Sequence, residues 1–183
     1  KVGLFIGFLI YGLIWALLLS VVYHLIQSLL PRINSLKRPF IVALLTGWSV
    51  ALFPFLKYPA NPPGVGDPET VGLWLSLYLT FIVLSSVNTF VAAALHRYLS
   101  GTKRASYSKP VRWIIVLGVY VTGTAITFVA MPVNGDPILM PADLVLTFRA
   151  LSLAGLAIFW MVFAGIFAWL ILRRQRPSQQ LTR

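Results

Sequence analysis

Cysteine is absent from the sequence, and charged residues are scarce. Without cysteine there can be no disulfide framework, no thiolate metal site and no cysteine nucleophile. Aspartate and glutamate together number only 4, against 15 lysines and arginines, and charged residues make up 10% of the chain. The sequence also has no Walker loop, no GxSxG, no HExxH and no paired carboxylates inside an apolar run. We therefore predict a protein that is not an enzyme.

Long apolar runs dominate the rest of the sequence. Hydrophobic residues make up 58% of the chain, and the mean hydropathy of +0.85 is typical of a membrane protein. Five runs are long enough to cross about 30 Å of hydrocarbon as helices. They cover residues 3–30, 40–56, 71–95, 113–131 and 150–172. We predict an all-α membrane protein with five transmembrane helices in a single domain, residues 1–183. The second run is the shortest and ends near Pro54, so a re-entrant segment is the alternative there.

The sequence begins at Lys1 without a methionine, so we expect further residues before it. The first apolar run is longer than the hydrophobic region of a cleaved signal peptide, and it therefore predicts a membrane span.

The distribution of charge predicts the orientation in the membrane. The segments 31–39, 96–112 and 173–183 contain basic residues and no acids, whereas all four acids lie in the segments 57–70 and 132–149. Because basic residues are retained on the cytoplasmic side, the N-terminus and the loops 57–70 and 132–149 are predicted to lie outside and the tail 173–183 in the cytoplasm. The basic charge thus indicates topology and not a nucleic-acid partner. A bacterial inner membrane, or another energy-transducing membrane, is the expected location.

The two outer loops resemble each other. Pro59-Ala60-Asn61 followed by Gly66-Asp67-Pro68 recurs in compressed form as Pro132-Val133-Asn134-Gly135-Asp136-Pro137. The similarity predicts a weak parallel repeat of spans two and three in spans four and five, with chance as the alternative. Transporters built from repeats often bind their substrates between the repeats.

The outer loops also supply the candidate metal ligands. Pro59, Pro62 and Pro63 predict a stiff, extended arch over residues 59–63, which holds neighbouring side chains in place. Carboxylate and amide oxygens suit hard divalent cations. The candidate ligands are Asp67, Glu69, Asp136, Asp143, Asn61 and Asn134. For Asp67, which precedes Pro68, the alternative is a helix N-cap.

Three further polar residues suggest sites of their own. Arg149 lies near the outer interface, where an ionisable group needs a partner, and a structural ion pair with Asp67, Glu69 or Asp136 is predicted. His24 and His96 are predicted near the cytoplasmic interface, too far from the outer carboxylates to share a metal with them. They are candidates for an inner exit site or for pigment ligands, and simple interfacial hydrogen bonding is the alternative.

The loop motifs PFLKYPANPPGVGDPET (residues 54–70) and PVNGDPILMPADLVLTFRALSL (132–153) resemble the CbtA family of probable cobalt transporter subunits. The resemblance extends over nearly the whole chain, including five spans and both outer loops. It implies a role in cobalt uptake, often with a small membrane partner that has a histidine-rich end. Within the matching loops, the site residues it implies are the six carboxylates and amides already named.

Two functions are therefore expected from the sequence. The first is uptake of cobalt or another divalent cation, with the acidic loops at the entrance, by a chain that works as a homo-oligomer or with other membrane subunits in the lipid bilayer. The alternative is a non-catalytic accessory subunit of a larger energy-converting or pigment-protein complex, in which His24 and His96 are structural or pigment ligands.

Overall fold

The protein folds as a set of long helices. A computed structural model describes residues 2–30, 33–101, 107–138 and 140–180, with the backbone alone for 175–180. Within these ranges every regular element is helical. The helices are α1 (Val2–Ile26), α2 (Arg38–Gly47), α3 (Phe53–Lys57), α4 (Val71–Gly101), α5 (Lys109–Ala130) and α6 (Ala142–Gln180).

Five of the helical segments are long and apolar enough to cross a membrane. They are Val2–Leu29, Arg38–Lys57, Val71–Gly101, Lys109–Ala130 and Ala142–Arg174. The predicted all-α membrane protein with five spans is confirmed. Its orientation in the membrane and its internal repeat stay predictions.

The fifth span begins earlier than its hydropathy indicates. The α6 helix starts at Ala142, so the second half of the segment predicted as outer loop 132–149 is helical. Val145 donates its backbone N–H to the carbonyl oxygen of Pro141, and Asp143 lies in the first turn, where a negative charge is favoured by the helix dipole. These local signals, and not apolar character, set the start of α6.

The second span is one continuous helix and not a re-entrant segment. A π-helical turn, Trp48–Leu52, joins α2 to α3. Pro54 follows this turn in the first turn of α3, where a missing backbone N–H is tolerated. The wider turn is typical of a position where the α-helical hydrogen-bond ladder is interrupted.

The helices pack as two main pairs, α2 against α6 and α4 against α5. Small residues allow α2 and α6 to approach closely, since Gly47 of α2 lies directly against the indole of Trp160 and the fully buried Ala43 and Ala164 belong to one core cluster. If spans two and three repeat as spans four and five, a two-fold axis would exchange these two pairs. The pairing is therefore compatible with the predicted repeat.

Hydrogen bonds between side chains join the central spans. Asn88 of α4 donates through Nδ2 to Thr127 Oγ1 of α5 at 2.9 Å, and the hydroxyl oxygens of Ser49 and Thr89 lie 2.7 Å apart. Trp48 Nε1 donates to the hydroxyl of Tyr120 at 2.6 Å. The polar faces of these spans thus hold helices together, which is the usual role of such residues in a membrane.

Candidate functional site

The two predicted outer loops meet at one end of the helix bundle. Tyr58, just after α3, donates its hydroxyl to the carbonyl oxygen of Pro132, which follows α5, at 2.8 Å. Lys57 Nζ donates to the carbonyl oxygen of Phe128 at 2.8 Å and lies 4.8 Å from the centre of the Phe128 ring. These contacts fix the ends of the second and fourth spans to each other on the side of these loops.

Between the loops, the start of α4 and α6 lies a cavity of about 800 Å³. Its polar walls come from both loops and from two helices. They include Asn61, Asp67, Asn134, Asp136, Arg149, Tyr58, Trp74 and Tyr78. Side chains that are far apart in the sequence therefore line one space, which we call the outer cavity.

Asp67 is held in a turn that leads into α4. Gly64 and Gly66 have φ values of +84° and +109°, a backbone region that favours glycine, and they turn the proline arch back towards the helix. Asp67 Oδ1 accepts the backbone N–H of Glu69 at 2.9 Å. Since α4 starts only at Val71, Asp67 caps this preceding turn and not α4 itself. The carboxylate is exposed, and among the described residues we find no intramolecular hydrogen bond to its second oxygen.

Asp136 is anchored more firmly than Asp67. Its Oδ2 accepts from Trp74 Nε1 at 2.8 Å and lies 2.7 Å from the hydroxyl of Thr70. That hydroxyl also lies 2.9 Å from the carbonyl oxygen of Asp67, so one proton serves both acceptors. In the second loop, Asn134 Oδ1 accepts the backbone N–H of Asp136 at 2.7 Å. The two aspartates are thus connected through Thr70.

Arg149 has an amide partner where a carboxylate was predicted. Its Nη2 donates to Asn61 Oδ1 at 2.7 Å, across 88 residues of sequence. Among the described side chains we find no carboxylate oxygen paired with it, and its buried Nε has no hydrogen-bond partner. The carboxylates of Asp67 and Asp136 accept hydrogen bonds from other groups, and Asn61 faces the guanidinium. Arg149 therefore joins the first loop to α6 by a charge-assisted hydrogen bond.

The six predicted ligands divide into two groups. Asn61, Asp67, Asn134 and Asp136 line the outer cavity, whereas Glu69 and Asp143 are exposed and lie outside its walls. Within the described part of the chain, no three histidines or carboxylates come together as a metal centre. The outer cavity thus offers two carboxylates and two amides without a closed ligand cage.

Sequence reasoning gave Thr70, Tyr58 and Trp74 no role in this site. Trp74 and Thr70 hold Asp136, and Tyr58 holds the second loop. Burial raises the pKa of Tyr58, so its hydroxyl remains a donor at neutral pH. The one available signal was the placement of Thr70 and Trp74, four residues apart, on one face at the start of a span.

The two histidines lie in other parts of the fold. His24 is exposed on α1, and its Nδ1 donates to the carbonyl oxygen of Ser20 at 2.8 Å. His96 is buried on α4, with its ring centre 4.7 Å from that of Trp113. It follows Trp74 by 22 positions in the same helix, or about 33 Å. His96 therefore lies far from the outer cavity.

Residues 1–172 match the family described as "Probable cobalt transporter subunit (CbtA)". No curated protein and no solved structure matches the chain. The family match covers all five candidate spans up to the last few residues of the fifth, as well as both loops that line the outer cavity. This multi-pass membrane protein, with its two interlocked loops, is thus a member of the CbtA family.

Proposed function

We propose that the chain takes up cobalt(II), or a similar divalent cation, across the bacterial inner membrane, and that the outer cavity is the entrance. One observation carries the proposal: Asp67 and Asp136, which are 69 positions apart in the sequence and belong to different loops, line the same cavity. Two carboxylates in a partly enclosed space raise the local concentration of cations. The family description as a cobalt transporter subunit supplies the ion.

The cation enters the outer cavity with its water shell. A space of about 800 Å³ is wide enough for a hydrated ion. Direct binding would require several converging ligands, but Asp67 and Asp136 each use one oxygen for hydrogen bonds within the protein. Their remaining oxygens can accept hydrogen bonds from water coordinated to the ion. The outer cavity would therefore bind the hydrated cation weakly and not as a tight site.

Arg149 limits how far a cation moves into the outer cavity. Its positive charge repels a dication, and its hydrogen bond to Asn61 fixes that charge in the cavity wall. A cation is therefore held towards the aspartates. Onward transport requires another subunit or a change in the position of Arg149.

The test compares two double variants with the same change in charge. Asp67→Asn with Asp136→Asn removes both cavity carboxylates, and the amide oxygens can still accept the bonds from Glu69 and Trp74. The control, Glu69→Gln with Asp143→Asn, removes two exposed carboxylates outside the cavity. Since even a group that only hydrogen-bonds to a metal ligand is worth about tenfold or more in metal affinity, we expect cobalt(II) uptake by vesicles to fall at least about tenfold in the first variant alone.

Equal uptake by the two double variants would contradict the proposal. If both fall together, the general surface charge attracts the ion and the outer cavity has no special part. If neither falls, the loops only hold the helix ends. Thermal unfolding of both variants, measured alongside, separates loss of function from loss of fold.

A second candidate function is that of an accessory subunit packed against a larger membrane complex. The observation that favours it is α1, because only 6% of its most apolar stretch is buried against the rest of the chain. In such a complex, the exposed His24 on α1 is a candidate ligand for a pigment. Gentle purification from the native membrane, with metal and pigment analysis, distinguishes the two functions. Large co-purifying subunits or a coloured fraction would favour the accessory role, and cobalt with a small membrane partner would favour uptake.

A further inference from the structure

An apolar groove of about 410 Å³ lies between α1, α2 and α4, away from the outer cavity. Aliphatic and aromatic side chains form most of its wall, among them Val22, Ile26, Val42, Leu45, Val87 and Phe90. The hydroxyls of Thr46 and Ser49 in this wall are engaged, because they donate to the carbonyl oxygens of Val42 and Leu45 at 2.8 Å and 2.7 Å. The groove therefore presents a hydrocarbon surface.

Two arginines mark one end of this groove. Arg38 precedes Val42 by four residues in α2, and Arg97 follows Ala93 by four residues in α4, so each arginine lies one helical turn beyond a wall residue and on the same face. Arg97 Nη1 lies 3.4 Å from Ser28 Oγ, at the end of the first span. Since α2 begins and α4 ends here, both arginines lie at the same end of the helix bundle.

The charge at this end has no internal counterpart. All four acids of the sequence lie at or after Asp67 and at or before Asp143, in the outer loops or the first turn of α6, at the opposite end of the helices. Arg38 donates through Nη2 to the carbonyl oxygen of Ile33 at 3.0 Å, and its buried Nε has no hydrogen-bond partner in the described part of the chain. A basic end next to a hydrocarbon groove is complementary to a molecule with an anionic head and an apolar tail.

We propose that this groove binds an anionic phospholipid, with one acyl chain between α1, α2 and α4 and the phosphate against Arg38 and Arg97. Basic sites between transmembrane helices recognise anionic headgroups in this way. The arginines at the end of the groove favour an anionic headgroup over a partner helix, because an apolar helix face would leave their charge without a counterpart. The site is independent of the outer cavity and of the proposed transport.

The first experiment tests the headgroup. The full chain is reconstituted into vesicles of equal parts phosphatidylglycerol and phosphatidylcholine and extracted with mild detergent, and the retained lipids are identified by native mass spectrometry. We expect about one phosphatidylglycerol per chain. Because each basic residue near a membrane surface contributes a several-fold preference for anionic lipid, Arg38→Gln with Arg97→Gln should reduce its retention about thirtyfold. Arg173→Gln with Arg174→Gln is the matched control, since it removes two exposed charges from α6 outside the groove, and it should retain the lipid.

The second experiment tests the acyl chain. Ser86 lines the groove, and Ser86→Leu should fill part of it and reduce lipid retention while both arginines remain. Far-ultraviolet circular dichroism reports whether each variant is folded, and the arginine pair decides the matter if Ser86→Leu does not fold. Equal retention of the two lipids by the wild type would overturn the proposal, as would equal loss from the groove and control arginine pairs.

Discussion

Gly47 and Trp160 form the closest contact between the second and fifth spans. A Cβ atom added at Gly47 would lie 2.7 Å from Cγ of the indole, closer than carbon atoms approach in packed proteins. Trp160 is almost completely buried and cannot move aside without disturbing the core. The absence of a side chain at Gly47 thus sets the distance between α2 and α6.

Replacing Gly47 with alanine should therefore destabilise the protein. Overpacking of a well-packed core costs about 1–3 kcal/mol, and we expect a loss in this range in thermal or denaturant unfolding in detergent. Gly155→Ala in α6 is the control, since a Cβ atom there meets nothing within 4 Å. A Gly47→Ala variant as stable as the control would show that Trp160 moves freely.

A second prediction at the residue scale concerns Tyr58. Burial raises the pKa of its phenol above the ordinary value of 10.0. The contribution of the protonated phenol to the free energy of unfolding is therefore complete below that value and is lost as the pH rises through the folded-state pKa. Tyr58→Phe removes the hydrogen bond to Pro132 and should cost about 0.5–1.5 kcal/mol at neutral pH. It should also lose less stability than the wild type between pH 9 and the alkaline limit of the measurement, and equal losses would contradict this role.

At the scale of the elements, α4 and α5 are held together by a hydrogen bond between side chains, at a position where a glycine of α5 leaves room for the amide of α4. Asn88 donates to Thr127, and a Cβ atom at Gly123 would lie 2.7 Å from Asn88 Oδ1. The glycine lets the amide approach the neighbouring helix, and the hydrogen bond satisfies a polar group that would otherwise face hydrocarbon.

A double-mutant cycle on Asn88→Ala and Thr127→Val should reveal this coupling. Hydrogen bonds between membrane helices contribute about 0.6 kcal/mol on average and at most about 1.7 kcal/mol, and we expect a coupling energy in that range. Thr124 donates only within α5, to carbonyl oxygens of Tyr120 and Val121. A cycle on Asn88→Ala with Thr124→Val should therefore give no coupling, and similar values for the two cycles would contradict the structure.

Hydropathy predicts the spans because each crosses the membrane as an apolar helix whatever its neighbours are. It does not predict where α6 begins, since that boundary depends on Pro141 and Asp143 and not on apolar residues. Asn88 and Thr89 follow Ser85 by three and four residues, a spacing that predicts one inward helix face but not its partner. Partners depend on how two helices are rotated against each other, which a single sequence does not encode locally.

The outer cavity shows the same limit. Its residue types and their shared side of the membrane follow from charge, and four of the six predicted ligands line it. Charge alone predicts a carboxylate partner for Arg149, whereas the structure places the amide of Asn61 at hydrogen-bond distance from the guanidinium. Only the folded loops reveal that the carboxylates accept bonds nearby and leave the amide of Asn61 for the guanidinium.

At the scale of the whole molecule, the absence of cysteine makes the orientation directly testable. Pro63 in the first outer loop and Ser35 between the first two spans are both exposed. Each variant, Pro63→Cys or Ser35→Cys, then carries a single thiol in this sequence. A membrane-impermeant maleimide added to intact cells should label the first variant and not the second. After the membrane is permeabilised both should react, which controls for access, and the reverse labelling of intact cells would invert the predicted topology.

The contacts around the outer cavity join parts of the chain that are made at different times. Lys57 and Tyr58 depend on residues that follow about 70 positions later, and Asn61 depends on Arg149, 88 positions later. During synthesis the first loop therefore emerges without its partners and is completed only when the last helix has been inserted. A nascent chain that stops before α6 would contain four spans, Asp67 and Asp136, and yet its outer cavity would still lack the wall that Arg149 forms.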